Sequence, residues 1–530
     1  MGILFIKYKE ELLMKVIKKI FEYLFVLAML IALCFYVNKN IVIKGLYMDD
    51  LFHWSWFRGL NLFDFAFKFY EASRYRPIFE AIQYLFYTII DTDIFRFSII
   101  NKVYNALIAL FIYHFVKKVD AGRIIAIIMS ALYLISHYAY YQIGQGIGSL
   151  EADALLFSLV ILYFCLKLAG AITKKDESGD PILPSKIDNI KNTIIIFIMF
   201  IIVSFTHERY LGTAVPIVIA ILMSRYNEEK VITKEKIISL VMFLLEILLI
   251  CYIRYIAIGK VMPAGTGGTY VEDTFSIIEC LKYCFSQVAI ILGINIGPDY
   301  LYGIDFVSLP YVKIKYLTFV SIGLILVFIC VYILFRFKYK SKKNLLAADL
   351  IFLSFIAVCI GASSVTIRVE LRFVYVSFTA TLIYLSYMYG FIVSNINVKV
   401  FKFVPALVIL LIVLTRVPIE LVYRTYYPKI HCFVDLARVN SLYDITIGKY
   451  GVDDILHKKK IYIINKYYGM TNFYAEYFYK IYDKDNVGNK IILVDDASNI
   501  PSEEFTNKDT IIIYEDLNTN LYNRNDEISK

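Results

Sequence analysis

The chain has 530 residues, with 55 Lys and Arg against 46 Asp and Glu (net charge +9), 59% hydrophobic residues and only 19% charged ones. Soluble domains carry about 25% charge, so a mean hydropathy of +0.63 excludes an ordinary soluble enzyme and points to a chain solvated largely by lipid. The basic excess suggests nucleic acid at first sight, but its Lys and Arg gather between apolar runs, as membrane topology requires, and no nucleic-acid partner is expected.

Runs of about 20 apolar residues can cross a ~30 Å hydrocarbon core. They are predicted at roughly 20–43, 94–116, 123–141, 150–170, 193–207, 210–224, 237–258, 316–335, 347–366, 373–394 and 403–420. About eleven transmembrane helices give an all-α polytopic membrane bundle. The first run, Ile20 to Ile43, is too long for a signal-peptide core and lacks a small-residue cleavage site, so it is predicted to stay as a helix. With the N-terminus cytoplasmic, inner segments collect Lys15, Lys18, Lys19, Lys117, Lys118 and Arg123, and later Arg336, Lys338 and Lys340, whereas the outer loop 142–149 has no Lys or Arg. This asymmetry orients the chain in the cell membrane, with long outer loops at 44–93 and 259–315. Two further apolar stretches, 77–90 and 276–297, are predicted as interfacial or re-entrant helices. The first of them would reach only ~21 Å as a helix, and counting either as a span would move basic clusters outside.

Ionisable residues gather at the predicted outer ends. "YMDDLFHW" puts Asp49 and Asp50 just after the first span, with His53 one turn later; "EASRYRPIFEAI" adds Arg74, Arg76 and Glu80. "GQGIGSLEADALLF" puts Glu151 and Asp153 at the start of the fourth span, and "SFTHERYLG" puts His207, Glu208 and Arg209 between the fifth and sixth. "TIRVELRFVY" puts Arg368, Glu370 and Arg372 between the ninth and tenth. Charges beside apolar spans are costly, and are functional or paired. Each cluster also has an ordinary reading: a solvated helix end for the aspartates, a salt bridge for Glu208 and Arg209, a helix cap for Glu151 and Asp153, an interfacial histidine for His53. All five clusters nevertheless fall on the side opposite the basic residues that set the orientation. Arg368 and Arg372 share a helix face and repel, so they want an anion, whether Glu370, another carboxylate or a phosphate.

The eight Cys residues show no zinc or disulfide spacing, and Cys280 and Cys284, one turn apart, read as packing. The Gly-rich stretch 263–274 follows no strand, so it reads as a substrate-contacting loop rather than a nucleotide loop. Beyond 420, "KKIYIINKYY", "NKIILVDDAS" and "KDTIIIYEDL" are short β-branched runs, with a helical stretch between the first two. Residues 421–530 are therefore predicted as a small extracytoplasmic α/β domain, to which no chemistry is assigned.

The first span followed by "YMDD", then "RYRPIFEAIQYLF", then "DIFRFSIINKVYNALIALF" as the second span, resembles the GT-C superfamily of membrane glycosyltransferases. The resemblance covers about residues 15–420, within a transmembrane domain of 1–420. Lipid-linked glucosyltransferases of the GtrII type and relatives of the bacterial protein mannosyltransferases are both open; the long tail motifs of an oligosaccharyltransferase are lacking. It implies a GT-C-like fold, a polyprenyl-phosphate-linked sugar as donor, and a hydroxyl acceptor on a cell-envelope glycan, a lipid-linked saccharide or a protein. Asp49, Asp50 and Glu208 are then the catalytic candidates, one of the two aspartates being the general base. Arg368, Arg372, Arg74 and Arg76 are candidates for the donor phosphate, and His53, His207, Glu151 and Asp153 for the acceptor side. Asp49 and Asp50 would also suit oxygen-only coordination of Mg²⁺ or Mn²⁺, though some relatives need no metal. A single displacement would invert the anomeric carbon.

Three other functions compete, one of them a non-enzymatic role with the tail as a surface-exposed binding module. A transporter or flippase of lipid-linked saccharides places polar groups near the midplane, often in repeated halves; only Glu246 and Arg254, eight residues apart on one face of the seventh span, fit that description. A polysaccharide polymerase would carry its main outer loop later in the chain.

Overall fold

The computed structural model describes residues 2–47, 49–68, 74–146, 148–175, 181–182, 184–224, 233–261, 271–296, 304–339, 343–366, 369–426, 431–464, 477–482 and 491–513. The long helix α1 (Gly2–Val37) leads through the short α2 (Asp49–Phe57), α3 (Leu62–Phe67) and α4 (Pro77–Ile90) to α5 (Phe95–Lys118). The pair α6 (Gly122–Ile135) and α7 (Tyr138–Gly144) precedes α8 (Ser149–Leu168), a two-stranded hairpin of β1 (Lys174–Lys175) and β2 (Pro181–Ile182), α9 (Lys186–Thr206), α10 (Ala214–Met223) and α11 (Lys234–Ile258). After α12 (Val271–Thr274) and α13 (Ile277–Ile291) come α14 (Val312–Lys338), α15 (Lys343–Ser364), α16 (Leu371–Ser394) and α17 (Phe403–Thr425).

Among the described residues nine helices are long and apolar enough to cross a membrane, and ten if the bent pair α6–α7 is one span. The chain is a multi-pass helical bundle. Eleven spans were expected; the one at 210–224 falls short of that length but still runs from the end of α9 back to its start, where Lys236 of α11 donates to Leu222 O at 2.7 Å and Lys186 of α9 pairs with Glu235. At the start of this segment Glu208–Thr213 wind as a 3-10 turn and only ten residues remain for α10. Pro216 accounts for the boundary, since its ring clashes with the carbonyl four residues earlier and stops an α-helix from extending back through the turn. The stretches at 77–90 and 276–297 form α4 and α13, of 14 and 15 residues, both short of a span.

The bundle has a core and a rim. Of the apolar windows of α8 and α16, 78% and 89% are buried in protein, against 17% for α1 and α11 and 22% for α14. The first two are central; the last three turn most of their side chains to lipid. The 61° bend between α6 and α7 frees backbone carbonyls that need partners within the membrane. Arg424 of α17 supplies them, donating to Ile135 O at 3.3 Å and Ser136 O at 3.0 Å. Glu420, one turn earlier, accepts the His137 N–H at 2.9 Å.

The two ends of the bundle differ. At one end of α5, Asn101 donates to the Gln145 carbonyl at 2.8 Å; at the other, Lys117 pairs with Glu22 of α1. Sixteen residues of helix put these ends ~24 Å apart.

After α17 come α18 (His431–Ile445), α19 (Ile447–Tyr450) and α20 (Val452–His457), then three strands: β3 (Lys460–Ile464), β4 (Ile491–Val494) and β5 (Thr510–Ile513). The strands pair in parallel in the order β4-β3-β5. Of the helical stretch expected between β3 and β4, the described part is a short 3-10 turn at Phe478–Ile481. This region is docked on the first loop: Asn440 accepts the Lys44 N–H and donates to the Val42 carbonyl, each at 2.7 Å. Gly45 permits the approach, because a Cβ there would lie 2.5 Å from Val439 Cγ1.

Candidate active site

Helix α2 starts at Asp49, so the acidic pair occupies a first turn, where the helix dipole favours negative charge. Successive helical residues are rotated by about 100°, and the pair divides accordingly. Asp49 is exposed; Asp50 is 1% exposed. Asp50 Oδ2 accepts the Gly146 N–H at 2.8 Å, which ties the first loop to the turn before α8. That turn needs glycine, since a Cβ on residue 146 would sit 2.9 Å from the Phe97 ring and 3.2 Å from Asp50 Oδ1. Gln83 of α4 supports the same turn by donating to the Gly146 carbonyl at 3.2 Å. Burial, and then the carboxylates of Asp50, Glu80 and Asp49, push the Tyr87 phenol well above its ordinary value. All three acids therefore lie within electrostatic reach of one phenol. His53, one turn past Asp50, meets Glu80 with Nδ1 to Oε2 at 3.2 Å, both side chains buried.

A second group adjoins the first through α8. Arg76 donates from Nε and Nη2 to the two oxygens of Glu208, each at 2.7 Å, in the bidentate geometry specific to arginine. The following residue, Arg209, donates to Glu151 Oε1 at 3.1 Å and lies 3.9 Å from the centroid of Phe373. Tyr210 donates to Glu151 Oε2 at 3.3 Å. His207 is 3.6 Å from Glu151 and 3.7 Å from Glu208. Arg372 Nε lies 2.5 Å from Glu370 Oε2, and its charge also acts on Glu151. The first loop, the start of α8, the turn after α9 and the start of α16 thus close on one another.

Not every sequence candidate joins them. Asp153, two residues past Glu151, points to another side of α8 and accepts from Tyr104 of α5 at 2.5 Å. Arg74 is half-buried two residues before Arg76. Arg368 and residues 263–270 lie outside the described residues. Arg209, Tyr210, Phe373, Gln83 and Gly146 were not singled out from the sequence as site residues. Arg209 stands in the "HERY" motif, but its partner is 58 positions away and nothing local marks the pair.

The fit to Mg²⁺ or Mn²⁺ is poor as the acids stand. Asp50 is turned in to Gly146 while Asp49 faces out, and among the described residues no three His, Cys, Asp or Glu gather as a metal set. No step is routed through a metal.

Burial, reinforced by the charges of Arg76 and Arg209, pushes His207 down to about 4, with Glu151 and Glu208 opposing only in part. Burial alone would raise Glu208; the Arg76 guanidinium outweighs it and holds that carboxyl well below the usual carboxylate range. The signs agree. Between pH 6.5 and 4 the unfolded chain protonates His207 and the folded chain does not, and below about 4.5 the same holds for Glu208. Stability is therefore complete above pH 6.5 and is lost on acidification, His207 accounting for up to roughly 3 kcal/mol. His207→Gln is expected to flatten the melting profile between pH 6.5 and 4. A variant profile as steep as the parent's would remove His207 as the cause.

No family model matches the chain, and no curated protein matches its sequence. Among solved structures, similarity is found to the oligosaccharyltransferase of Archaeoglobus fulgidus in its apo form, at 9% identity and a TM-score of 0.44. The match takes in 90% of this chain and 65% of that one, so the chain spans less than two thirds of that protein's length.

Proposed function

We propose that the protein is a membrane glycosyltransferase that moves a sugar from a polyprenyl-phosphate donor to a hydroxyl acceptor at one face of the membrane. The observation that carries this reading is the convergence of carboxylates and guanidiniums from four separate segments at one end of a lipid-embedded bundle. Such a gathering is expensive in an apolar setting; mutual pairing offsets part of the cost, and a charged substrate offsets more. It also contains both parts that the chemistry needs.

The donor arrives with its leaving group already activated, as a sugar C1 joined to a lipid phosphate oxygen. Asp50 takes the proton of the acceptor hydroxyl as general base. The acceptor oxygen bonds to C1 as the C1–O bond to phosphate breaks, and the electron pair leaves on the polyprenyl phosphate. A single displacement inverts C1. Arg372, with Arg74 and Arg76, stabilises the charge growing on the phosphate, and Arg368 keeps the same role from the sequence alone. Asp50 is preferred over Asp49 because its carboxylate is held in place by the Gly146 N–H, and preorganised groups lose least on reaching the transition state. Glu208 presents both its oxygens to Arg76, so it acts by positioning that arginine, and Glu151 does the same for Arg209. The acceptor is a cell-surface glycan, a lipid-linked saccharide or a protein, approached from the His53 and His207 side.

The test compares cell-surface glycans and lipid-linked saccharides, by mass spectrometry, from cells with and without the protein. Membranes holding it are then supplied with polyprenyl-phosphate sugars. A sugar that disappears from one acceptor class and returns with the protein is the expected result. Identical profiles, together with no transfer from any polyprenyl-phosphate sugar, would overturn the reading.

A further inference from the structure

Arg254 is the anomaly of the bundle. It lies on α11, one turn before the helix ends at Gly259, whose φ of +69° closes the helix in the left-handed region. Its side chain is 0% exposed, yet none of its three guanidinium nitrogens has a hydrogen-bond partner among the described residues. A buried cation without partners is among the costliest features a protein can hold, and buried polar groups in folded proteins are nearly always satisfied. Three other arginines of this end are compensated: Arg76 by Glu208, Arg209 by Glu151, Arg372 by Glu370. Arg254 is close enough for its charge to act on Glu208 and Arg76, and Glu208 already gives both oxygens to Arg76. At the turn after α9, among the described residues, the three arginines Arg76, Arg209 and Arg254 therefore face the two glutamates Glu151 and Glu208.

The geometry points to an anion site at Arg254, and we propose that its ligand is the phosphate of a lipid, held between α11 and the Arg76–Glu208 pair. A planar guanidinium with all of its donors uncommitted matches phosphate oxygens. The lipid origin follows from the helix itself. Only Lys236, Phe243, Ile250 and Arg254 of the 25 residues of α11 are buried, and Tyr252, Tyr255 and Ile256 beside the arginine are 62%, 58% and 66% exposed. In a bundle that faces acyl chains, that surface lies along lipid, so a lipid tail can run down α11 while its head reaches the guanidinium. Two lipids share this chemistry, a polyprenyl phosphate and a bilayer phospholipid. The first of these assignments rests on the proposed function; the anion site does not.

The experiment uses the full chain purified in detergent and reads its melting temperature with decaprenyl monophosphate, with the phosphate-free prenol, and with phosphatidylglycerol. The prenyl phosphate is expected to raise the melting temperature and the prenol not to. Arg254→Met is expected to melt higher than the parent when unliganded, because it removes an uncompensated buried charge, and to bind the phosphate at least about 30-fold more weakly. Arg254→Lys, which keeps the charge but not the fork, is expected to fall between them. Stabilisation by phosphatidylglycerol equal to that by the prenyl phosphate supports the site and makes the bilayer its source. A prenol as effective as its phosphate, an Arg254→Met variant with undiminished binding, or one that melts lower when unliganded, would each overturn the proposal. Sugar transfer is not read, so a protein that binds prenyl phosphate through Arg254 and transfers nothing would sink the enzyme reading alone.

Discussion

Asp50→Asn is expected to lower sugar transfer by about 10²–10⁴-fold, the usual contribution of a general base, with expression and melting temperature close to the parent's. The reason for the split is steric. Asn has the shape of Asp and keeps an oxygen that can accept the Gly146 N–H, the bond that ties the first loop to the start of α8. What it loses is the basicity needed to take a hydroxyl proton. Asp49→Asn, on the exposed side of the same turn, is expected to cost less than tenfold. The measurement is transfer of labelled sugar in membranes at matched protein levels. Full transfer by Asp50→Asn would end its role as base, and loss confined to Asp49→Asn would hand that role to its neighbour.

The largest loss of stability is expected from Glu208→Ala. The partners Arg76 and Glu208 have only 11% and 2% of their side chains exposed. Removing one member strands a buried charge, which costs about 3–5 kcal/mol. Here the penalty is aggravated, because Arg254 also feels the Glu208 charge. Lys44→Ala provides the contrast. It breaks a pair with Asp444 that is short, at 2.7 Å, but 36% and 52% exposed, and such pairs contribute about 0–1 kcal/mol. Thermal unfolding in detergent should separate the two variants clearly. Equal melting temperatures for both would mean that the Glu208 pair is solvated in the working protein.

The lipid-embedded character of this chain, most of its spans and the shortness of α4 and α13 were readable from the sequence, because hydrophobic length is a local property: twenty apolar residues need no distant partner to choose a membrane. The three strands β3, β4 and β5 were readable for the same reason, from β-branched runs between polar turns. The grouping of ionisable residues at span ends was visible too, since a charge beside an apolar run stands out wherever it occurs. Tertiary structure alone decided the rest. It separated Asp50 from Asp49, paired Arg76 with a glutamate 132 positions away, sent Asp153 to Tyr104 instead of to its neighbour Glu151, and bent the third expected span at a point where Arg424 could take the freed carbonyls. It also buried Arg254 with no hydrogen-bond partner among the described residues. Each of these depends on which helix faces which. That choice is made by packing between segments far apart in the chain, and it leaves no periodic mark on either of them.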